Sequence, residues 1–170
     1  GDILEKVEKI RWQWVGCFTS CLLLVLSIFA GWLPLNHLFF GYEYGAVGLA
    51  LAQGRGFSDP FFLGSGATAW VSPLLPAFLG LVFSLTHFSM TASWILLLIK
   101  ILSLGFGAGL IWAVLQSSHR GLAPVSYLWM GALAYIHSYD IFYQYHDDWL
   151  IFFLMSLAFW GWHQRTAVSG

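Results

Sequence analysis

Apolar residues run along this chain in long blocks separated by short polar breaks, and block length decides what each can be. Ahead of the first block, Ile3, Leu4, Val7, Ile10 and Trp14 recur at three- and four-residue spacing with Glu5, Lys6, Glu8 and Lys9 opposite them. That spacing predicts a helix over 1–13 lying on a membrane surface. Residues 14–33, Trp14 to Leu33, are then apolar for about 20 residues, long enough to span and longer than the apolar part of a signal peptide, so they read as a first span and retained signal anchor. Residues 37–53 read as a helix stopped by Gly54 and Gly56, with Gly41, Gly45, Gly48 and Ala52 as a small-residue stripe for close packing and Glu43 off that stripe beside Val47 and Ala50. Ser58-Asp59-Pro60 and Gly64-Ser65-Gly66 are turn chemistry, and Ser72 stands ready to cap a helix over 73–86 that begins at Pro73. At about 21 Å that helix is shorter than a ~30 Å hydrocarbon core, so it is expected to lie along or re-enter the membrane face. Three further spans are expected over 92–115, 122–139 and 149–162.

The expected fold is therefore an all-α membrane protein: one domain with about four transmembrane helices and two juxtamembrane helices in its first outer loop. Composition agrees. The chain is 59% hydrophobic and 9% charged, against roughly 25% charged residues in soluble domains. A net charge of -1 leaves no basic field for nucleic acid, which excludes that partner, and the ten Trp and seven Tyr suit membrane interfaces. Cys17 and Cys21, four apart in the first apolar helix, read as core thiols.

Charge gives an orientation. Lys6, Lys9 and Arg11 precede the first span, which puts the N-terminus in the cytoplasm; Arg120 and Arg165 then fall inside, and Glu43, Asp59, Asp140, Asp147 and Asp148 fall outside. An acid near lipid must face water, a cation or a substrate, so Glu43 and the Asp147-Asp148 pair, brought to one outer face from distant parts of the chain, are the candidate chemistry. A carboxylate in an apolar cleft suits a general base that takes a proton from a hydroxyl; a divalent cation is the other use for such acids. Arg55 and Lys100 are the cations placed to meet a phosphate, with His146 beside the acidic pair. Each has a structural alternative: Glu43 in hydrogen bonding, Asp147 or Asp148 as a helix cap, Arg55 as a solvated loop residue, Lys100 as a snorkelling lysine and His146 as an interface side chain.

The succession YEYGAVGLALAQGRGF, TAWVSPLLPAFLGLVF, a span ending in a basic inner turn, and YHDDWLIFF resembles the N-terminal part of the GT-C superfamily of membrane glycosyltransferases, which includes protein O-mannosyltransferases and lipid A aminoarabinose transferases. Those enzymes are several times longer, so the resemblance takes in a fragment or reduced module of one. Many relatives carry Asp where Glu43 stands and an Arg-Pro-Asp-like element at His146-Asp147-Asp148, which leaves the equivalent Asp open. The resemblance implies transfer of a sugar from a polyprenyl-phosphate carrier to a hydroxyl of a lipid or protein acceptor at the outer (periplasmic, extracellular or lumenal) face. Glu43 would be the first-loop acid and Asp147 or Asp148 the second. Arg55, Lys100 or a divalent cation (Mg or Mn) held by Asp147 and Asp148 would offset charge on the leaving phosphate, and further helices or subunits would complete the assembly. Two other classes fit the same residues: a non-catalytic membrane module, and a transporter subunit using Glu43, Lys100 and the Asp pair as a relay.

Overall fold

The computed structural model describes residues 11–29, 43–69, 71–118, 124–128, 131 and 147–169. Among them every regular element is α-helical: α1 Trp12–Phe29, α2 Glu43–Ala52, α3 Leu74–Thr86, α4 Met90–Ser118 and α5 Asp148–Ser169, with residues 124–128 also helical. Helices are thus found within the expected stretches 14–33, 37–53, 73–86, 92–115 and 149–162, with α4 and α5 longer than expected; residues 30–33 and 37–42 of the first two lie outside the described residues. The interfacial helix over 1–13 and most of the span over 122–139 lie outside the described residues.

Two of these helices, α1 and α4, are long and apolar enough to cross a membrane, at about 27 and 43 Å. α5 matches them in length at 22 residues. Its apolar run, however, ends at Trp162, and His163, Gln164 and Arg165 follow. Hydroxyls inside the helices turn back onto their own turn: Thr19 donates to the Val15 carbonyl at 2.8 Å, Ser27 to Leu23 at 2.7 Å and Ser156 to Phe152 at 2.7 Å. That removes the cost of a bare hydroxyl in an apolar setting.

The described residues divide into two units. One holds α1, α4 from Lys100 onward, residues 124–128 and α5. In it α4 presents glycines on two sides. A Cβ built on Gly105 would meet the Gly16 carbonyl oxygen at 2.8 Å, and one on Gly109 the Trp12 carbonyl oxygen at 2.5 Å. On the other side, a Cβ at Gly107 would strike the Phe152 ring of α5 at 2.7 Å. Gly105 and Gly109 thus form a GxxxG surface against Gly16 and Ser20, which lets two helix backbones touch. Trp12 closes one end, edge-on to Phe106 at 6.4 Å and tilted against Trp160 at 6.2 Å. Trp112 packs edge-on against Tyr127 at 5.9 Å, and the Tyr127 and Thr19 hydroxyls share a 2.5 Å hydrogen bond. Cys17 and Cys21 are not core thiols. Both are free and exposed, because the packed face of α1 is the one carrying Gly16 and Ser20.

The second unit holds α2, α3, the loop between them, α4 up to Ile99, and Asp147. α2 ends in a Schellman motif: Arg55 N–H donates to the Ala50 carbonyl at 2.9 Å, Gly54 N–H to Leu51 at 3.0 Å, and Gly54 takes φ +73°. Gly48 and Gly80 let α2 and α3 close up, since a Cβ on Gly48 would lie 2.8 Å from Leu79 Cβ and one on Gly80 3.1 Å from the Gly48 carbonyl oxygen. Val47, Ala50, Leu75, Leu79 and Phe83 are buried around this contact. α3 begins at Leu74 behind Pro73 with no side-chain cap, so the expected capping role of Ser72 is not realised; its hydroxyl has a different partner, described below. At its other end His87 and Phe88 take left-handed conformations, φ 53° and 51°, and Phe88 packs edge-on against Phe83 at 5.1 Å.

The helix contact in the first unit yields a direct expectation. Gly105→Leu lowers the stability of the protein in detergent by about 1–3 kcal/mol or more through overpacking. Gly161→Ala, where no atom lies within 4 Å of the added Cβ, leaves it unchanged or slightly raised, because alanine is the better helix former. Denaturant titration followed by circular dichroism checks both.

Candidate functional site

Glu43 is the first residue of α2, where a carboxylate is favoured by the free N–H groups and dipole of the helix start, and it is half-buried. Tyr44 follows it. Asp147 immediately precedes α5 and belongs to the same unit as α2 and α3. Tyr44 and Asp147 meet at Ser72. The Ser72 hydroxyl donates to Asp147 Oδ2 at 3.2 Å across 75 residues of sequence, while the Tyr44 phenol hydrogen-bonds the same carboxylate.

The electrostatics of Tyr44 record that meeting. Burial disfavours its phenolate, and the charge of Asp147 and the hydrogen bond to it push the same way, as does Glu43; Ser72 pulls weakly back, and the net effect holds the phenol above its ordinary value of 10.0. Tyr44 is therefore a neutral donor at any physiological pH. A carboxylate has about four lone-pair positions, and two hydroxyl donors leave Asp147 room for a third. The arrangement can hold a substrate hydroxyl beside one acid with a second acid, Glu43, at the neighbouring helix start.

Of the other expected site residues, Asp148, Arg55 and Lys100 are among those described. Asp148 is exposed as the first residue of α5, a position that suits a helix N-terminus. Arg55 is held in its own loop: its guanidinium forms an ion pair with Asp59 and donates to Gln53 Oε1 at 2.7 and 3.1 Å. Lys100 is buried within α4, so it does not snorkel. His146 lies outside the described residues. Among the described residues no three His, Cys, Asp or Glu gather as a metal ion would require, and the Asp147 carboxylate accepts from hydroxyls instead.

Asp59, expected as a turn residue, organises the loop. It is buried with φ 58°, and its Oδ1 accepts from the Gly64 and Gly66 amides at 3.0 and 3.2 Å. Two members of the site were not expected at all. Ser72 reads locally as a cap and Tyr44 as one more interfacial aromatic; the available signal was that Tyr44 adjoins the acid at the start of the same helix.

Because the folded pKa of Tyr44 is raised, the unfolded chain loses the phenolic proton first as pH climbs. The stability this contributes is complete below about pH 10 and is lost as pH rises through the folded value. Tyr44→Phe is expected to reduce the fall in stability in that alkaline window, and near-ultraviolet titration of the variant should lack a component ionising above the ordinary range.

Compared with known proteins, the chain matches no family model, no curated protein and no solved structure.

Proposed function

We propose that the chain is a membrane glycosyltransferase, or the N-terminal module of one, that moves a sugar from a polyprenyl-phosphate donor to a hydroxyl of a lipid or protein acceptor at the outer membrane face. The observation that supports this reading is the meeting of Asp147 with Tyr44 and Ser72 beside Glu43, a hydroxyl-binding acidic cluster next to apolar helices. In this reading α1, α4, the segment over 122–139 and α5 are four spans, the N-terminus is cytoplasmic, and α2 and α3 lie along the outer face. The isoprenoid tail partitions into the bilayer while the sugar and phosphate stay at headgroup depth, where a short amphiphilic unit such as α2–α3 belongs.

Glu43 takes the proton of the acceptor hydroxyl, whose oxygen attacks the anomeric carbon as the bond from that carbon to the phosphate oxygen breaks. The phosphate leaves with the electron pair, and the anomeric centre inverts. Asp147, held by Ser72 and Tyr44, accepts from the sugar or acceptor hydroxyl and fixes its direction. Orientation of this kind carries much of a transfer enzyme's advantage.

A second reading, the non-catalytic module, draws on the commitment of Arg55 to Asp59 and Gln53, which leaves the loop's cation engaged within the protein. Turnover separates the two. Proteoliposomes given polyprenyl-phosphate mannose or polyprenyl-phosphate aminoarabinose are expected to release polyprenyl phosphate, and Glu43→Gln to slow that release by about 10²–10⁴-fold, the usual worth of a general base. Asp147→Asn is expected to slow it as well. Donor binding without release supports the module instead, and unchanged turnover in Glu43→Gln removes the assigned base.

A further inference from the structure

The α2–α3 loop carries a feature that the sugar-transfer reading does not use. Phe61, Phe62 and Leu63, three large apolar residues in a row, are 62%, 69% and 77% exposed. A flexible loop would fold such residues inward, but this one is pinned from several sides. Asp59 accepts from the amides on the far side of the tip, Gly64 and Gly66, and its own N–H donates to the Gly66 carbonyl at 2.8 Å. Thr68 N–H donates to the Phe57 carbonyl at 3.1 Å, Ser58 bridges to Ala67, and Ser65 N–H closes the tip on the Phe62 carbonyl at 3.0 Å. Gly64 and Gly66 take φ +86° and +93°, which steers the chain back beneath the tip. The frame thus holds the three side chains outward.

We infer that Phe61, Phe62 and Leu63 insert into the lipid bilayer at headgroup and upper acyl depth and anchor the α2–α3 unit to the membrane surface. Three observations select lipid as the occupant. First, the unit is continuous with a span: α3 ends at Thr86, α4 begins at Met90, and the turns of α4 up to Ile99 belong to the same unit. Second, the same unit exposes further large apolar side chains, Leu74, Leu81 and Leu85 on α3 and Trp94 and Leu98 on α4. Third, residues 60–69 contain no charged side chain, and the ionisable groups behind them, Arg55 and Asp59, neutralise each other. Entering the interface therefore desolvates no free charge.

The test uses the full chain in nanodiscs of phosphatidylcholine and phosphatidylglycerol, in a Cys17→Ala, Cys21→Ala background. A polarity-sensitive fluorophore is attached at Phe62→Cys or, as a control on the exposed base of the loop, at Ala67→Cys. The label at 62 is expected to emit to the blue of the label at 67 and to be quenched severalfold more by lipids spin-labelled high on the acyl chain, and severalfold less by aqueous iodide. Equal access of iodide to both labels overturns the inference. So does a label at 62 that is shielded from iodide yet is not quenched by the acyl-chain spin labels, because protein would then be the cover. The readout needs no sugar donor, so it stands or falls apart from the proposed activity.

Discussion

Close approach of helix backbones at glycine is the constraint on which both units rest. In water, helices are driven together by their apolar faces, but in the proposed membrane setting lipid would solvate leucine as well as another helix does, and contact would have to come from fit. Gly16 with Gly105 and Gly109 supplies it in one unit, and Gly48 with Gly80 in the other. The rest of the pattern follows. With small residues turned inward, bulky ones face out, which is why Trp14, Phe18 and Phe29 are exposed on α1 while Gly16 and Ser20 are buried.

The polar cluster depends on that packing. Tyr44 and Ser72 come from α2 and from the residues just ahead of α3, and the Gly48–Gly80 contact fixes these two helices against each other. Asp147 arrives from far along the chain and finds two hydroxyl donors already in place. Hydrogen bonds to a carboxylate at a half-buried position are stronger than the same bonds in water. The three residues thus act as one unit, with Glu43 adding its charge from the adjacent helix start.

Much of the helical architecture was legible because apolar periodicity and length are local properties: the helix expected over 73–86 is found at Leu74–Thr86, and the stop at Gly54 is a Schellman motif. What escaped was decided by tertiary partners. Ser72 has the local chemistry of a cap, yet its hydroxyl goes to Asp147, since a charged acceptor offers the stronger bond. The Gly105–Gly109 surface hid inside a uniformly apolar run, where no polar residue marks which face packs. Asp59 looked like an ordinary turn residue because its acceptors' partners, the amides of Gly64 and Gly66, are invisible to side-chain pattern. Cys17 and Cys21 were expected inside by the habits of soluble cores, but the packed face of α1 carries Gly16 and Ser20 instead. The acids stood out by their rarity and by the topology expected to bring Glu43 and the Asp pair to one face, while the pairing of Asp147 with Tyr44 needed the fold.

The glycines of this protein answer two unlike demands. At 64 and 66 there is open space around the missing side chain but a backbone twist that natural residues resist; at 105 and 109 the backbone is ordinary and the space is filled by another helix. Mirror-image chemistry tells the two apart. A D-alanine has its comfortable region where an L-residue is strained, so it would be at ease in the loop, whereas at the helix crossing an ordinary L-alanine has no strain in its backbone and instead puts its methyl group where a neighbouring main chain already stands.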